Sequence, residues 1–103
     1  MRGLGHRQVW WADLDKVRPV VILTRARIAP RLTRVLVAPV TTTARGIATE
    51  VALGADEGVQ PGSVANLDNV HLVSVDRLVA LAGTVSTQRW PEFCTAMHKV
   101  MHC

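Results

Sequence analysis

Two runs constrain this chain more than anything else in it: Val17-Arg18-Pro19-Val20-Val21-Ile22-Leu23 and Val35-Leu36-Val37-Ala38-Pro39-Val40-Thr41-Thr42-Thr43. Both are apolar, rich in β-branched side chains and of strand length. Each carries a polar group at one end, Arg18 at the entrance of the first and Thr41 at the exit of the second. If the runs pair antiparallel, those ends can lie side by side. A guanidinium beside a hydroxyl suits an anion, and a phosphodiester is the obvious one.

The rest of the chain repeats short runs and turns. Residues 9–14 read as a first strand, followed by a very short connection at residues 15–17. Residues 19–24 read as the second strand, with proline tolerated at its first position. Residues 25–34 hold Arg25, Arg27, Arg31 and Arg34 together with Pro30, and read as a basic loop. Residues 35–41 are the third strand, 42–46 a polar turn and 48–53 the fourth strand. Residues 54–62, with Gly54, Gly58, Gly62, Pro61 and two acids, are a loop. Residues 63–67 form a fifth strand, Asp68-Asn69 a turn, 70–73 a further short run, 74–77 a single helical turn and 78–85 a last strand.

The period then changes. Trp90, Phe93, Cys94, Met97, Val100 and Met101 fall on one helix face. Ser86 is a good N-cap before them. The spacing predicts a helix over 87–101, with Pro91 closing its first turn at the loss of about one backbone hydrogen bond. Short strands followed by one amphipathic helix predict a mainly β fold with a C-terminal α-helix: a small, strongly bent sheet or barrel that the helix closes. Strands this apolar need cover on both faces, and a partner subunit is expected to supply it.

A chain of 103 residues makes one domain at most, here 1–103, of a size often completed by dimerisation. No apolar run is long enough to span a bilayer. The start, Met1-Arg2-Gly3-Leu4-Gly5-His6, has no apolar secretory core, so a cytoplasmic protein with no membrane partner is expected. The formal net charge of +4 fits a solvated basic surface or attraction to a polyanion. Cys94 reads as a small core residue, and Cys103 is terminal. His98 and His102 stand one helical turn apart without a companion acid or cysteine, so no metal and no cofactor is expected. Trp10 and Trp11 face opposite sides of a strand. One is core, and the other is interface or a platform for a stacked base.

On these runs the chain resembles the MazF/PemK family of toxin endoribonucleases, the toxin halves of type II toxin–antitoxin modules. The resemblance is carried by Val9-Trp10-Trp11-Ala12-Asp13-Leu14, by Arg18-Pro19-Val20-Val21-Ile22-Leu23 and by Val37-Ala38-Pro39-Val40-Thr41-Thr42-Thr43. Ser63-Val64-Ala65-Asn66-Leu67-Asp68-Asn69 and Val85-Ser86 complete it. It implies an SH3-like barrel like those of MazF, Kid and CcdB, working as a homodimer. It also implies metal-independent cleavage of single-stranded RNA at a short sequence, leaving a 2′,3′-cyclic phosphate and a 5′-hydroxyl, under the control of a cognate antitoxin. The family's catalytic arginine falls on Arg18 and its catalytic threonine on Thr41. The aspartate assigned as base in Kid falls on Asp68. Thr42, Thr43, Arg45, Asn66, Asn69 and Trp11 are the candidate RNA-binding residues. Asn66 stands where Kid has an arginine, and the long glycine-rich first loop of most members is reduced here to Asp15-Lys16-Val17.

Cleavage by the RNA's own 2′-hydroxyl needs no protein nucleophile, only alignment and charge stabilisation at phosphorus. A planar guanidinium and a hydroxyl donor fit that task. Two other readings stand beside it. A CcdB-like toxin would bind and poison DNA gyrase without cutting RNA, and would have no use for the Arg18–Thr41 pair. A noncatalytic SH3-like module would bind a partner only.

Overall fold

The computed structural model describes residues 5–25 and 33–101 of the chain. Its elements are β1 (Gln8–Asp13), β2 (Val17–Ile22), β3 (Arg34–Thr41), β4 (Glu50–Leu53), β5 (Ser63–Asn66), β6 (His71–Ser74), β7 (Leu78–Thr84) and α1 (Trp90–Val100). The strands follow the apolar runs, with ends displaced by a residue or two. β2 starts at Val17, so Arg18 lies within it and Pro19 sits inside it opposite Trp11. Asp13 pairs with Val17, and the Leu14 N–H donates to the Lys16 carbonyl at 3.1 Å, which makes the β1–β2 connection a tight hairpin. Arg27 and Arg31 of the basic loop lie outside the described residues, as do His102 and Cys103.

β3 is the spine. Its first half pairs with β6, its middle with β2 and its last two residues with β5, all antiparallel. β2 takes one edge of β3, β5 and β6 share the other end to end, and both faces of the sheet are buried. Val9, Val21, Ala38 and Val40 pack on one side with Phe93 and Ala96 of α1. Trp10, Val20, Ile22, Val35 and Val37 pack on the other with Val73 and Leu78. Each fully buried valine, isoleucine or phenylalanine contributes roughly 1.5–3 kcal/mol. The second face is therefore covered by the chain's own β6 and the start of β7. This corrects the expectation that a partner subunit must supply that cover.

Among the described residues the ladder runs β4-β5-β3-β2-β1-β7 and does not close on itself. The fold is barrel-like rather than a closed barrel. Its two ends approach through the 3-10 turn Ala55–Glu57 after β4, which packs on β7. At that approach a Cβ on Gly58 would overlap the Ala82 carbonyl, and one on Gly83 would overlap the Glu57 carbonyl. Only hydrogen fits at either position.

α1 begins three residues later than the apolar spacing suggests. Pro91 occupies its first turn, where an N–H has no intrahelical partner, so no hydrogen bond is lost there. Ser86 still organises the entry. Its Oγ accepts from the Arg89 N–H at 3.3 Å and its carbonyl accepts from the Trp90 N–H at 3.0 Å. Phe93 and Ala96 are buried, and Trp90 stacks on Phe93 with ring centroids 4.7 Å apart. Cys94, expected in the core, is exposed, because one residue along a helix turns the side chain through about 100° from Phe93. Among the described residues no helix is long and apolar enough to cross a membrane.

Candidate functional site

The β2–β3 register decides the site. Val20 pairs with Pro39, Val21 with Ala38 and Ile22 with Val37. Continued two places toward the open end, this register sets Arg18 across from Thr41. By strand alternation Arg18 shares a side with Val20 and Ile22, and Thr41 with Val35 and Val37. Those four apolar residues belong to one cluster. The polar pair lies where that face ends, and Trp11, paired with Pro19, lies on the opposite face, so the groove draws residues from both faces at the sheet end. A groove of about 340 Å³ opens at this end, and both Arg18 and Thr41 line it.

Four more of its lining residues carry chemistry. Trp11, half-buried, is one wall, and Lys16 reaches it from the tight β1–β2 turn. Gln60 comes from the loop after β4, and Thr42 from the chain leaving β3. Trp10, on the opposite face of β1 from Trp11, is buried in the cluster of Val20 and Ile22 and donates its indole N–H to Gln8 Oε1 at 3.0 Å. The alternation of the two tryptophans is as expected, with Trp10 in the core and Trp11 at the groove.

The pair has defined partners. Arg18 Nη2 lies 3.3 Å from Asp15 Oδ2, with both side chains largely in water. Such a pair adds about 0–1 kcal/mol to stability, so its consequence is orientation of the guanidinium. Thr41 Oγ1 accepts from the Thr43 N–H at 3.1 Å. With that acceptor site used, the hydroxyl hydrogen remains to be donated into the groove.

The other expected site residues lie outside the groove lining. Asp68 Oδ2 accepts from the Thr49 hydroxyl at 2.6 Å and lies 3.6 Å from Arg45 Nη2. Asn66 is buried, and its Oδ1 accepts from the Asp68 N–H at 3.0 Å, capping the 3-10 turn Leu67–Asn69. Asn69 is exposed, and its carbonyl is 2.8 Å from His71 Nδ1. Thr43 and Arg45 are exposed on the segment between β3 and β4.

That segment is organised by Glu50, which the sequence reading passed over as a strand residue. Its carboxylate accepts from the backbone N–H of Arg45, Gly46 and Ile47 and from the Arg45 guanidinium. Burial works against the charged carboxylate, but these donors outweigh it and hold its pKa below the ordinary carboxylate value. A depressed folded-state pKa adds stability above the unfolded value, and that stability disappears as pH falls through the folded one. In Glu50→Gln the melting temperature is therefore expected to lie furthest below wild type near neutrality. The gap should close on acidification below about pH 4, where the unfolded carboxylate protonates. Thermal melts of both proteins from pH 7 to pH 3 measure it. A gap that stays constant with pH would remove the carboxylate from this role.

The chain as a whole is similar to known proteins. Residues 6–101 match the family described as PemK-like, MazF-like toxin of type II toxin-antitoxin system. The chain is 44% identical over 100 residues to the probable endoribonuclease MazF5 of Mycobacterium tuberculosis, covering 93% of this chain and 91% of that one. Among solved structures it is similar to the Mycobacterium tuberculosis toxin MazF-mt6, with a TM-score of 0.87 and 41% identity over 91% of this chain and 95% of that one. It is also similar to a mycobacterial endoribonuclease in complex with its cognate antitoxin. There the TM-score is 0.85 at 26% identity, over 95% of this chain and 94% of the other.

Proposed function

Because this chain belongs to the PemK-like, MazF-like toxins of type II toxin-antitoxin systems, we propose that it is a toxin endoribonuclease acting on single-stranded RNA in the cytoplasm. The observation that supports this is that Arg18 and Thr41 both line one groove, at the end where the β2–β3 pairing stops. The guanidinium donates two parallel hydrogen bonds to the equatorial oxygens of a phosphodiester, and the Thr41 hydroxyl donates a third. The donors are fixed before the substrate arrives, so they stabilise charge as it grows on those oxygens. The ribose 2′-oxygen gives up its proton and attacks phosphorus, the bond from phosphorus to the 5′-oxygen opposite it breaks, and the 5′-oxygen takes up a proton from solvent. The products are a 2′,3′-cyclic phosphate and a 5′-hydroxyl, without a protein nucleophile or a metal.

The proton lost by the 2′-hydroxyl needs an acceptor. Neither aspartate lines the groove, but Asp68 is engaged by Thr49 and Arg45, whereas Asp15 lies against Arg18, which does line it. Asp15 is the better-placed base, and the exposed Asp68, Arg45, Thr43 and Asn69 offer a flank for the continuing RNA strand, while the buried Asn66 holds the turn that carries Asp68. Lys16 adds a second cation at the scissile end.

The protein acts as a homodimer, for which the exposed Leu72, Val79 and Leu81 offer apolar surface. A cognate antitoxin whose acidic, disordered tail occupies the basic groove restrains it. The mycobacterial endoribonuclease solved with its antitoxin supports this partner. Gyrase poisoning has no need of a guanidinium and a hydroxyl in register at a groove.

The test is incubation of purified protein with mixed-sequence RNA in excess EDTA, followed by mapping of the ends. Discrete cuts bearing cyclic phosphates are expected, and affinity for uncleaved RNA should fall steeply with added salt. Intact RNA, or random cuts bearing 3′-phosphate without a cyclic precursor, would reject the reading.

A further inference from the structure

Arg18 and Lys16 grip phosphate, which is the same in every nucleotide. A groove built from them alone would cut without preference. The groove also holds Gln60, which the sequence motifs do not include. Its side chain is exposed, and its amide makes no hydrogen bond among the described residues.

Its backbone, by contrast, is fixed. The Gln60 carbonyl accepts from the Ser63 hydroxyl at 2.6 Å and from the Ser63 N–H at 3.2 Å. Upstream, the buried Glu57 carboxylate accepts from the Gly54 N–H at 2.8 Å and lies 3.3 Å from Arg89 Nη1. Arg89 in turn donates to the Ala52 carbonyl at 2.6 Å. Between them, Gly58 sits against β7 with no room for a side chain. The amide is unpaired and its backbone is held, so only the rotamers of its own side chain have to be ordered when it meets a base.

Resting on the nuclease reading above, we propose that Gln60 is a specificity-determining residue. Its amide hydrogen-bonds the edge of the unpaired RNA base next to the scissile phosphate, while that base lies against the Trp11 indole. The chemistry fits the two groups. A primary amide presents a donor and an acceptor side by side, as the hydrogen-bonding edges of bases do. A neutral amide gains little from phosphate, where a cation is far better. The indole face accepts any base by stacking, so it holds the base without choosing it. The choice falls to Gln60.

The test uses a randomised RNA pool cut by wild type, by Gln60→Ala and by Gln60→Glu, with the cut ends sequenced. Wild type is expected to show a base preference at a position beside the cut. In Gln60→Ala that preference should weaken about tenfold while preferences at other positions persist. Gln60→Glu, which keeps the acceptors and loses the donors, should move the same position toward bases presenting an amino group, cytosine above all. Unchanged preferences in both variants would overturn the proposal. So would a uniform fall in cutting with the preference intact, which would make Gln60 a support for its loop. A wild type that cuts no RNA would overturn the nuclease reading and this one together. A wild type that cuts with a base preference that neither variant alters would overturn this one alone.

Discussion

Arg18→Ala and Thr41→Val each yield a folded protein whose rate of RNA cleavage is at least about a hundredfold below wild type. Arg18 is expected to suffer more, about a thousandfold or beyond, because it loses a charge and two donors at once. Neither side chain belongs to the buried core, and the Arg18–Asp15 contact is a solvent-exposed pair. Melting temperatures should therefore move little, within roughly 0.5 kcal/mol of stability. Arg18→Lys keeps the charge but loses the planar fork, and should recover only part of the rate. Thr41→Ser keeps the hydroxyl and should recover most of it. The double variant should be barely slower than Arg18→Ala, since two groups acting on one phosphate do not contribute independently. Initial rates on a defined RNA, with melts beside them, decide the matter. Activity kept within a few-fold in Arg18→Ala would remove the guanidinium from the reaction.

The pair was legible in the sequence because each member is a polar residue where an apolar run ends, and antiparallel pairing of the runs is the simplest arrangement. The strands were legible for the same local reason. What lay beyond local pattern is how β3 divides itself among β6, β2 and β5. Nothing in Val35-Leu36-Val37-Ala38 says that its two faces are covered by the same chain, so the sequence alone pointed to a partner subunit. Lys16 and Gln60 were missed because they reach the groove from turns, and a turn's direction depends on contacts remote in sequence. The signal for Lys16 was present: it sits on a connection too short to do anything but project beside Arg18. Glu50 reads as one polar residue in a strand, and its role exists only once Arg45, Gly46 and Ile47 converge on it. Cys94 shows the limit of counting apolar residues on a helix, since exposure there is decided by one residue of phase.

Gly58→Val tests how the loop and the barrel end depend on each other, and its expected effect on stability exceeds that of any other substitution considered. Gly58 has φ of 79°, a left-handed conformation that a β-branched residue adopts only under strain, roughly 1–3 kcal/mol. Its Cβ would also overlap the Ala82 carbonyl, which is backbone of β7 and cannot swing aside as a side chain can. Either β7 or the turn must move, and the loss should reach about 3 kcal/mol or more once the packing between them opens. Gly46 provides the control, with φ of 71° and nothing within 4 Å of a Cβ. Gly46→Val carries the conformational strain without the overlap and should lose about 1–2 kcal/mol. Urea unfolding of both variants separates the two contributions. The displaced turn carries Val59 and Gln60, both in the groove wall. Under conditions where Gly58→Val is still folded, its cut sites should therefore be less selective, and those of Gly46→Val should keep the wild-type preference at the Gln60 position. Equal destabilisation in the two variants would mean that the close approach to β7 fixes nothing, and that the loop holding Gln60 is set by its own hydrogen bonds alone.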